Sequence, residues 1–394
     1  MLEAGGLAST GRWADARAVY LWVLARRDDD AEALFGLARV DAWGGCWTLS
    51  ENEYQSVLAA HPNDADVRAG YVDLLIWRGR TADAQRVLEE GLTLDPHSPQ
   101  LVGKAAKFAS WRGDAALAVE LAAAAEKGAP EDRELRAMAD RFFVGEARVI
   151  THLDVYPPGR QNVYATTAQV LQRLGRFEFT AGAQLLDHYG GAASSVFDAR
   201  YPFSLAYHPA LGVMVGLELT PGAPANAIPQ FSLRAWALFP IVGPLDASFA
   251  YSFWEFDGGE SVNIFNPGVG IALPGEFRVD ARSWTSVVRL PASGAQVAQT
   301  KVVGAAGLQL TWSATRRVDL AVAYTYGAEA DPNQTVGGQL QLQASESHIA
   351  TAFVDILLHR HFGVRPLATL ERLAGPSAPA LWIEACELGA YARW

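Results

Sequence analysis

The chain ends in the stretch ALWIEACELGAYARW (380–394), whose side chains alternate between two kinds. Counting back from Trp394 in steps of two gives small or apolar side chains at 392, 390, 388 and 386, whereas 393, 391, 389 and 387 are mostly polar or amphipathic. A period of two is typical of a β-strand with one apolar and one wet face. A single strand of this kind does not distinguish a membrane-spanning strand from an ordinary half-buried one.

Bulk properties exclude several classes of protein. The 394 residues are enough for two or three domains, and the longest apolar runs, such as AVYLWVLA (18–25), are shorter than the ~18 residues that a membrane helix needs. A net charge of −11 argues against a nucleic-acid-binding protein. Cys46 and Cys386 lie far apart without metal-ligand spacing, so neither a metal site nor a disulfide is expected. The opening MLEAGGLAST lacks signal-peptide features, and we expect the natural start to lie upstream.

The composition changes near residue 145. Ala, Leu, Arg, Glu and Asp dominate before this point, whereas Gly, Pro, Thr, Val and aromatic residues dominate after it. The sequence therefore predicts an α + β multidomain chain, with a helical domain over 1–145 and a β-rich domain over 146–394.

Residues of the first domain recur with a period of 34. The recurring positions are Gly11, Gly45, Gly79 and Gly113, then Pro62, Pro96 and Pro130, and also Trp43, Trp77 and Trp111. Glycine suits a tight turn between two helices, and proline stops the second helix. We predict full repeats at 31–64, 65–98 and 99–132, a partial repeat before them and a capping helix over 131–143. Ser50 and Glu53 suggest a capping box that opens a helix.

These positions, together with small residues at Ala38, Ala84, Ala106 and Ala118, resemble the tetratricopeptide repeat, an α-solenoid. The resemblance implies a groove that binds a peptide or protein partner. Its candidate lining residues are Arg39, Trp43, Asp73, Trp77, Lys107 and Trp111. A ladder of Trp could hold an extended sugar or peptide chain, but each Trp could equally pack against the next repeat.

Fourteen strand-like segments make up the second domain. They span 148–156, 161–173, 176–187, 194–207, 211–220, 228–239, 245–256, 261–273, 276–289, 297–313, 316–328, 338–358, 362–373 and 380–394. Short connections, such as 174–175 and 359–361, mostly alternate with long ones, such as 221–227, 329–337 and 374–379. This asymmetry is typical of membrane barrels. We predict an antiparallel transmembrane β-barrel of about fourteen strands, with twelve or sixteen as alternatives, whose two ends lie on the short-turn side.

Charged residues on one face of these strands are candidates for the barrel lumen. They are Glu178, Arg200, Glu218, Arg234, Arg278, Asp280, Arg282 and Lys301. Charges that face one another across a lumen suggest a wet interior or a charge-paired plug, whereas the alternative places some of them above the bilayer. A slip of one residue at a bulge would invert a strand.

The stretch YSFWEFDGGESVNIFNPGVGIALPGEFRVDARSW (251–284) combines a strand, an acidic Gly-rich loop, a second strand and a strand with alternating Arg. Together with the loop TPGAPANAIP (220–229), it resembles the YaiO-type outer-membrane barrel family. The order of repeats before a barrel is also similar to porin-like exporters of cellulose and poly-N-acetylglucosamine. Those exporters have larger barrels and more repeats.

Motifs of known enzymes do not occur in the sequence. The spacings GxSxG, HExxH and the P-loop are missing, and the pairs Ser204 with His208 and Ser347 with His348 lack an acid partner. We therefore predict a non-enzyme without a cofactor.

The sequence favours an outer-membrane barrel, embedded in lipid, that takes part in exporting or assembling a surface exopolysaccharide. Its repeats would lie in the periplasm and bind a protein partner or the passing polymer. The alternative is a membrane-anchored scaffold for an envelope protein complex without pore activity. Trp394 is the candidate signal for insertion into the membrane.

Overall fold

The computed structural model describes residues 6–7, 11–158, 160–190, 195–273, 275–292, 297–328, 335–336, 339–340, 346–375 and 378–394. The chain forms two compact units, one made of the residues up to 109 with 117–139 and the other of 110–116 with 140–394. The first unit is helical, and the second consists mainly of β-strands.

Helices of similar length follow one another through the first part of the chain. Those described in full are α1 (Trp13–Leu24), α2 (Ala31–Trp43), α3 (Trp47–Ala60), α4 (Ala65–Trp77), α5 (Thr81–Leu94), α6 (Pro99–Trp111), α7 (Ala115–Gly128) and α8 (Arg133–Arg141). Among the helices that the structure describes, none has the length and apolar character needed to cross a lipid bilayer. The helix pairs keep the 34-residue phase of the sequence, and α8 occupies the predicted capping position.

The turns explain why the repeat has this period. The four phased glycines lie between the two helices of a repeat with φ between +72° and +80°, a conformation that favours Gly over other residues. The first helix of each pair is capped by a residue of a second 34-residue series. The Asp30 and Asp64 carboxylates each accept from a backbone N–H at 3.0 Å, and the Ser98 hydroxyl does so at 3.4 Å. Satisfying these otherwise unpaired N–H groups stabilises each helix start.

The predicted capping box at Ser50 and Glu53 is wrong. Helix α3 already begins at Trp47, so Ser50 lies a full turn inside it. The Ser50 side chain is fully buried, and its hydroxyl donates to the carbonyl of Ala38 at 2.7 Å. Ser50 therefore fills the small-residue position at which α2 and α3 approach each other.

The second unit contains seventeen strands within the described residues. They are β1 (Gly145–Val155), β2 (Asn162–Leu174), β3 (Phe177–Tyr189), β4 (Val196–Arg200), β5 (Phe203–Tyr207), β6 (Met214–Pro221), β7 (Phe231–Val242), β8 (Leu245–Glu255), β9 (Ser261–Leu273), β10 (Phe277–Leu290), β11 (Gln299–Thr315), β12 (Val318–Gly327), β13 (Thr335–Val336), β14 (Gln339–Leu340), β15 (Glu346–His359), β16 (Phe362–Gly375) and β17 (Ala378–Arg393).

Strand pairing closes the sheet into a barrel of fourteen strands. Strands β4 and β5 both pair with β3 and count as one, and β13 and β14 pair only with each other. Closure comes from β1, which pairs antiparallel with β17 from Glu146 opposite Arg393 to Val155 opposite Glu384. The predicted strand number is confirmed, and the alternatives of twelve and sixteen are wrong. Because the number is even, Gly145 and Arg393 lie at the short-turn end.

Of the strand predicted over 338–358, the structure describes β15 from Glu346 onward, with Ser347 opposite Gly327 at the end of β12, whereas 338 and 341–345 lie outside the described residues. One predicted boundary in the barrel is wrong. The predicted loop over 374–379 is partly strand. Gly375 of β16 pairs with Ala378 of β17, so both strands extend into that segment.

The two faces of the barrel strands differ in chemistry. On β11, Val302, Leu308, Leu310 and Trp312 are exposed, and comparable exposed apolar side chains recur on the same face of the neighbouring strands. This is the outward, lipid-facing side of a membrane barrel. Charged side chains share the opposite face, as where Glu218 lies opposite Arg234. That face lines the lumen.

Candidate functional sites

The eight charged residues named for the lumen all lie on the inward face of their strands. Four occupy the first half of the barrel (Glu178, Arg200, Glu218 and Arg234) and four the strands β10 and β11 (Arg278, Asp280, Arg282 and Lys301). They do not form one network. Glu178 pairs with Arg173 at 2.8 Å, and Arg278 pairs with Asp280 and, at 2.7 Å, with Asp246.

Ion pairs concentrate where the inward-facing strands meet the short turns. Glu146, which is almost fully buried, binds Arg148 and also the Nε of Arg393 at 2.7 Å. Asp355 binds the Nε of Arg365 at 3.0 Å and accepts the Tyr391 hydroxyl at 2.5 Å. Sequence reasoning missed these residues, although the alternation of the last strand already placed Tyr391 and Arg393 on its wet face.

A cavity of about 440 Å³ lies inside the barrel. Polar and apolar side chains share its wall, and Trp254, which also packs against Val262 and Ile264, is one of them. The lining residues are Ile150, His152, Val163, Ala165, Thr167, Gln169, Gln184, Leu186, Arg200, Pro202, Glu218, Thr220, Ser232, Trp254 and Glu387. Of the predicted lumen residues, only Arg200 and Glu218 are brought together here. A volume of this size and a wall with a few convergent polar groups are typical of small-ligand sites.

The connection between β6 and β7, residues 222–230, folds over the barrel interior, and we call it the roof loop. Ile228 is 1% exposed and packs against Val163, Ala165 and Leu186, which also line the cavity. The sequence predicted a loop over 221–227 but gave no sign that it folds inward. An inward loop needs its polar backbone groups satisfied by the barrel.

Asp198 on β4 accepts hydrogen bonds from these backbone groups. Its carboxylate is fully buried and accepts the backbone N–H groups of Asn226 at 2.6 Å and Ala227 at 3.0 Å, as well as the Asn226 side-chain amide at 3.0 Å. His188 Nε2 lies 3.3 Å from the same carboxylate. The roof loop is thus anchored by the Asp198 carboxylate, by the Ile228 side chain and by backbone hydrogen bonds of Ala223 and Pro224 with Ala199 at 2.8 and 2.9 Å.

The helical unit has a groove of its own, with a pocket of about 390 Å³. Its lining residues are Phe35, Arg39, Trp43, Tyr54, Asp66, Ala69, Gly70, Asp73, Trp77, Gln100, Gly103, Lys104, Asp132, Glu134, Leu135 and Met138. Four of the six residues predicted for the groove, Arg39, Trp43, Asp73 and Trp77, are therefore brought together. Lys107 and Trp111 are not among the lining residues.

Ion pairs hold three of the six charged residues that line this groove. Lys104, which is almost fully buried, binds Asp73 at 2.7 Å and Glu134 at 3.4 Å, and Lys107 binds Glu134 at 2.7 Å. Burial alone would raise the pKa of Glu134, but the charges of Lys104 and Lys107 outweigh it and lower the pKa to about 2. Glu134 therefore stays ionised in neutral solution. Sequence reasoning missed Lys104 and Glu134.

Aromatic rings form the other side of the groove. The guanidinium carbon of Arg39 lies 4.8 Å from the ring centroid of Trp43 and 5.4 Å from that of Phe35, within cation–π range. Trp43 also packs against the core between α1 and α2, whereas Trp77 is 38% exposed. Trp43 thus packs partly against its neighbours and Trp77 lines the groove, while the ladder of Trp that holds an extended ligand stays a prediction.

Trp394 lies at the seam between the last strand and the first. Its N–H donates to the Gly145 carbonyl at 3.0 Å, and its indole N–H donates to the Gln172 side chain at 3.2 Å. The indole covers Gly145 so closely that a Cβ added there would lie 2.3 Å from the ring. Trp394 therefore contacts the seam that closes the barrel.

The two Ser–His pairs considered for catalysis are not assembled. Ser347 donates to Glu371 at 2.7 Å on the inward face, whereas its neighbour His348 points outward and bonds the Tyr324 hydroxyl at 2.7 Å. Ser204 lies inside β5 opposite Glu218, and His208 lies in the turn that follows. Within the described residues, no group of three or more His, Cys, Asp or Glu side chains could hold a metal ion.

Comparisons with known proteins agree with the two-part fold. Residues 50–107 match the family model of the tetratricopeptide repeat. No curated protein is similar enough to count as a match. The CymD monoaromatic hydrocarbon channel is similar at 9% identity and a TM-score of 0.48, with 66% of this chain and 91% of that chain covered.

Two further solved structures give similar values. For the toluene transporter TbuX of Ralstonia pickettii, the identity is 12% and the TM-score 0.44, with 68% of this chain and 93% of that chain covered. For a bacterial polysaccharide outer membrane secretin, the identity is 10% and the TM-score 0.42, with 64% and 98% covered. The chain thus combines helical repeats, of which residues 50–107 match the tetratricopeptide repeat, with a closed barrel of fourteen strands. The resemblance to the YaiO-type family stays a prediction.

Proposed function

We propose that the chain is an outer-membrane protein that takes part in exporting or assembling a surface exopolysaccharide, with its repeats in the periplasm. The observation that carries the proposal is the cavity inside the barrel, because its wall suits a sugar. Trp254 offers an aromatic face, and Thr167, Gln169, Gln184, Thr220 and Ser232 offer hydroxyl and amide groups. A sugar ring has apolar C–H faces and a rim of hydroxyls, so it needs both kinds of contact.

The roof loop supports a transport role. It lies over the cavity and is held there by hydrogen bonds to Asp198 and Ala199 and by packing of Ile228, contacts that can break and re-form without a change in the barrel strands. The repeats add a separate groove that can hold a partner or a polymer segment while the barrel acts on another segment.

A complementation experiment tests the proposal. The gene is deleted, surface polysaccharide is quantified, and the strain is complemented with the natural chain, with Trp254→Ala or with Trp382→Ala. Trp382 is the matched control because it is an exposed Trp on the outward face of β17. We expect deletion and Trp254→Ala to lower the surface polysaccharide and Trp382→Ala to leave it unchanged. Unchanged polysaccharide after deletion would contradict the proposal.

A second function is favoured by the groove of the helical unit. In a scaffold for an envelope protein complex, the barrel would only anchor the chain. Asp73 and Lys104 are already paired with each other, which leaves the aromatic side of the groove, with Trp43 and Trp77, to contact an apolar segment of a partner. Loss of a protein partner in the double variant Trp43→Ala/Trp77→Ala, with normal surface polysaccharide, would favour the scaffold.

A further inference from the structure

Charges are unevenly distributed around the barrel lumen. The inward face of strands β7 to β11 carries four cations, Arg234, Arg278, Arg282 and Lys301, but only two carboxylates, Asp246 and Asp280. Both carboxylates bind Arg278. We call this face the cationic wall. Within the part of the chain that the structure describes, Arg234 and Arg282 are not neutralised by these two carboxylates.

Arg282 lies between two glycines of the neighbouring strands. Its cross-strand neighbours are Gly268 on β9 and Gly307 on β11, so no side chain flanks it on either side. A Cβ at Gly268 would lie 3.1 Å from Cγ of Arg282 and 2.7 Å from Oγ of Ser248, so the glycine makes room for this side chain. Arg282 is exposed, and none of the described residues forms an ion pair with it.

Arg234 repeats the pattern nearer the long loops. It is exposed, and although Glu218 lies directly opposite on β6, the two do not come within ion-pair distance. Its guanidinium carbon lies 5.6 Å from the ring centroid of Trp236 instead. Other lumen arginines differ sharply, because Arg148, Arg173, Arg365 and Arg393 all bind carboxylates near the short turns.

We propose that Arg282 and Arg234 form a binding track on the cationic wall for the acidic groups of an anionic saccharide chain. This inference rests on the proposed function and names the class of its polymer. A guanidinium binds carboxylate and phosphate groups with two parallel hydrogen bonds, and an unpaired one in a lumen is free to do so. The two arginines occupy different depths of the wall, which suits a chain with repeated acidic groups.

Ion selectivity in planar bilayers tests the charge of the track. Reversal potentials in a KCl gradient are measured for the full chain, for Arg282→Gln and for Arg234→Gln/Arg282→Gln, all with the roof loop freed by Asp198→Ala. Arg289→Gln is the matched control, because Arg289 lies on the same strand but faces outward. Each inward substitution should lower the anion-to-cation permeability ratio roughly sevenfold, because a unit charge about 7 Å away in water changes the anion and the cation occupancy each by about 2.7-fold, in opposite directions. An unchanged ratio would overturn the track.

Ligand binding identifies the source of the acidic groups. Calorimetry on the detergent-solubilised full chain compares a uronic-acid oligosaccharide, a neutral oligosaccharide of equal length and inorganic phosphate. We expect the acidic oligosaccharide alone to bind, tenfold or more weakly in the double variant and less weakened in Arg282→Lys, which keeps the charge but loses the two parallel hydrogen bonds. If the barrel carries no current, this binding measurement tests the track on its own.

The outcomes separate the inference from the proposed function. Equal binding of the neutral and acidic oligosaccharides overturns the anionic track and leaves saccharide export standing. If phosphate binds as tightly as the acidic oligosaccharide, the track is a site for free anions, and the proposal of a saccharide ligand is overturned. Unchanged surface polysaccharide after gene deletion contradicts the function even if the track binds anions.

Discussion

Replacing Asp198 by Ala should release the roof loop from the barrel. The substitution removes an acceptor that is fully buried and holds three donors of the loop at 2.6–3.0 Å. A hydrogen bond to a charged acceptor contributes ~1.5–3 kcal/mol. The donors regain hydrogen bonds to water when the loop lifts, so we count only two of the three hydrogen bonds, each at the lower value. Their loss costs ~3 kcal/mol and shifts the equilibrium toward the lifted loop roughly 150-fold.

Accessibility of Ile228 reports this shift. Ile228→Cys is introduced into a chain whose natural cysteines, Cys46 and Cys386, are replaced by Ser, and labelling by a membrane-impermeant maleimide is timed on whole cells. In the natural loop Ile228 is 1% exposed, so labelling should be slow. Asp198→Ala should accelerate it by about two orders of magnitude. The control is Asp187→Ala, which removes an exposed, outward-facing carboxylate of β3.

Two results would refute this reasoning. Fast labelling of Ile228→Cys in the chain that retains Asp198 would mean that the loop does not cover the interior. Equal labelling rates with and without the Asp198→Ala substitution would mean that the carboxylate does not anchor the loop.

Three further predictions concern the helical unit and the barrel seam. Burial, reinforced by the nearby charge of Asp41, raises the pKa of Glu53 to about 8, so the folded repeats hold a proton that the unfolded chain has released at neutral pH. Their stability should therefore fall as the pH rises from about 4.5 to 8, and Glu53→Gln should flatten this slope and raise the melting temperature at pH 8, measured by helical circular dichroism. Trp394→Ala should reduce barrel assembly in the outer membrane while the repeats stay folded, measured by heat-modifiable gel mobility; normal assembly would count against a role for the seam. Trp43→Ala/Trp77→Ala should weaken ligand capture by the repeats at least tenfold, whereas the outward Trp382→Ala should not, measured by pull-down from envelope extracts.

Sequence periodicity was enough to predict both architectures, because each depends on a local pattern. Glycines 34 residues apart mark turns that need positive φ, and alternating side chains mark strands with two different faces. The N-cap series of Asp30, Asp64 and Ser98 was equally visible at this spacing and was missed in favour of Ser50 and Glu53. The 34-residue spacing alone does not show whether Ser50 caps a helix or fills a buried small-residue position.

Features that depend on pairing or on inward folding were not predictable. The bounds of β15 depend on its pairing with β12, whose last residue Gly327 lies opposite Ser347. The roof loop contains small residues and prolines typical of any exposed turn, and its inward position depends on Asp198, a distant residue on β4. The contrast between paired and unpaired lumen arginines likewise depends on which carboxylates the strand register brings opposite them.

Single-channel current through the full chain carrying Asp198→Ala tests the central claim that the lumen is a path for a saccharide chain. We predict that this variant gives stepwise currents larger than those of the natural chain, and that an acidic oligosaccharide blocks these currents. A correctly assembled Asp198→Ala barrel that carries no current would contradict a path through the lumen.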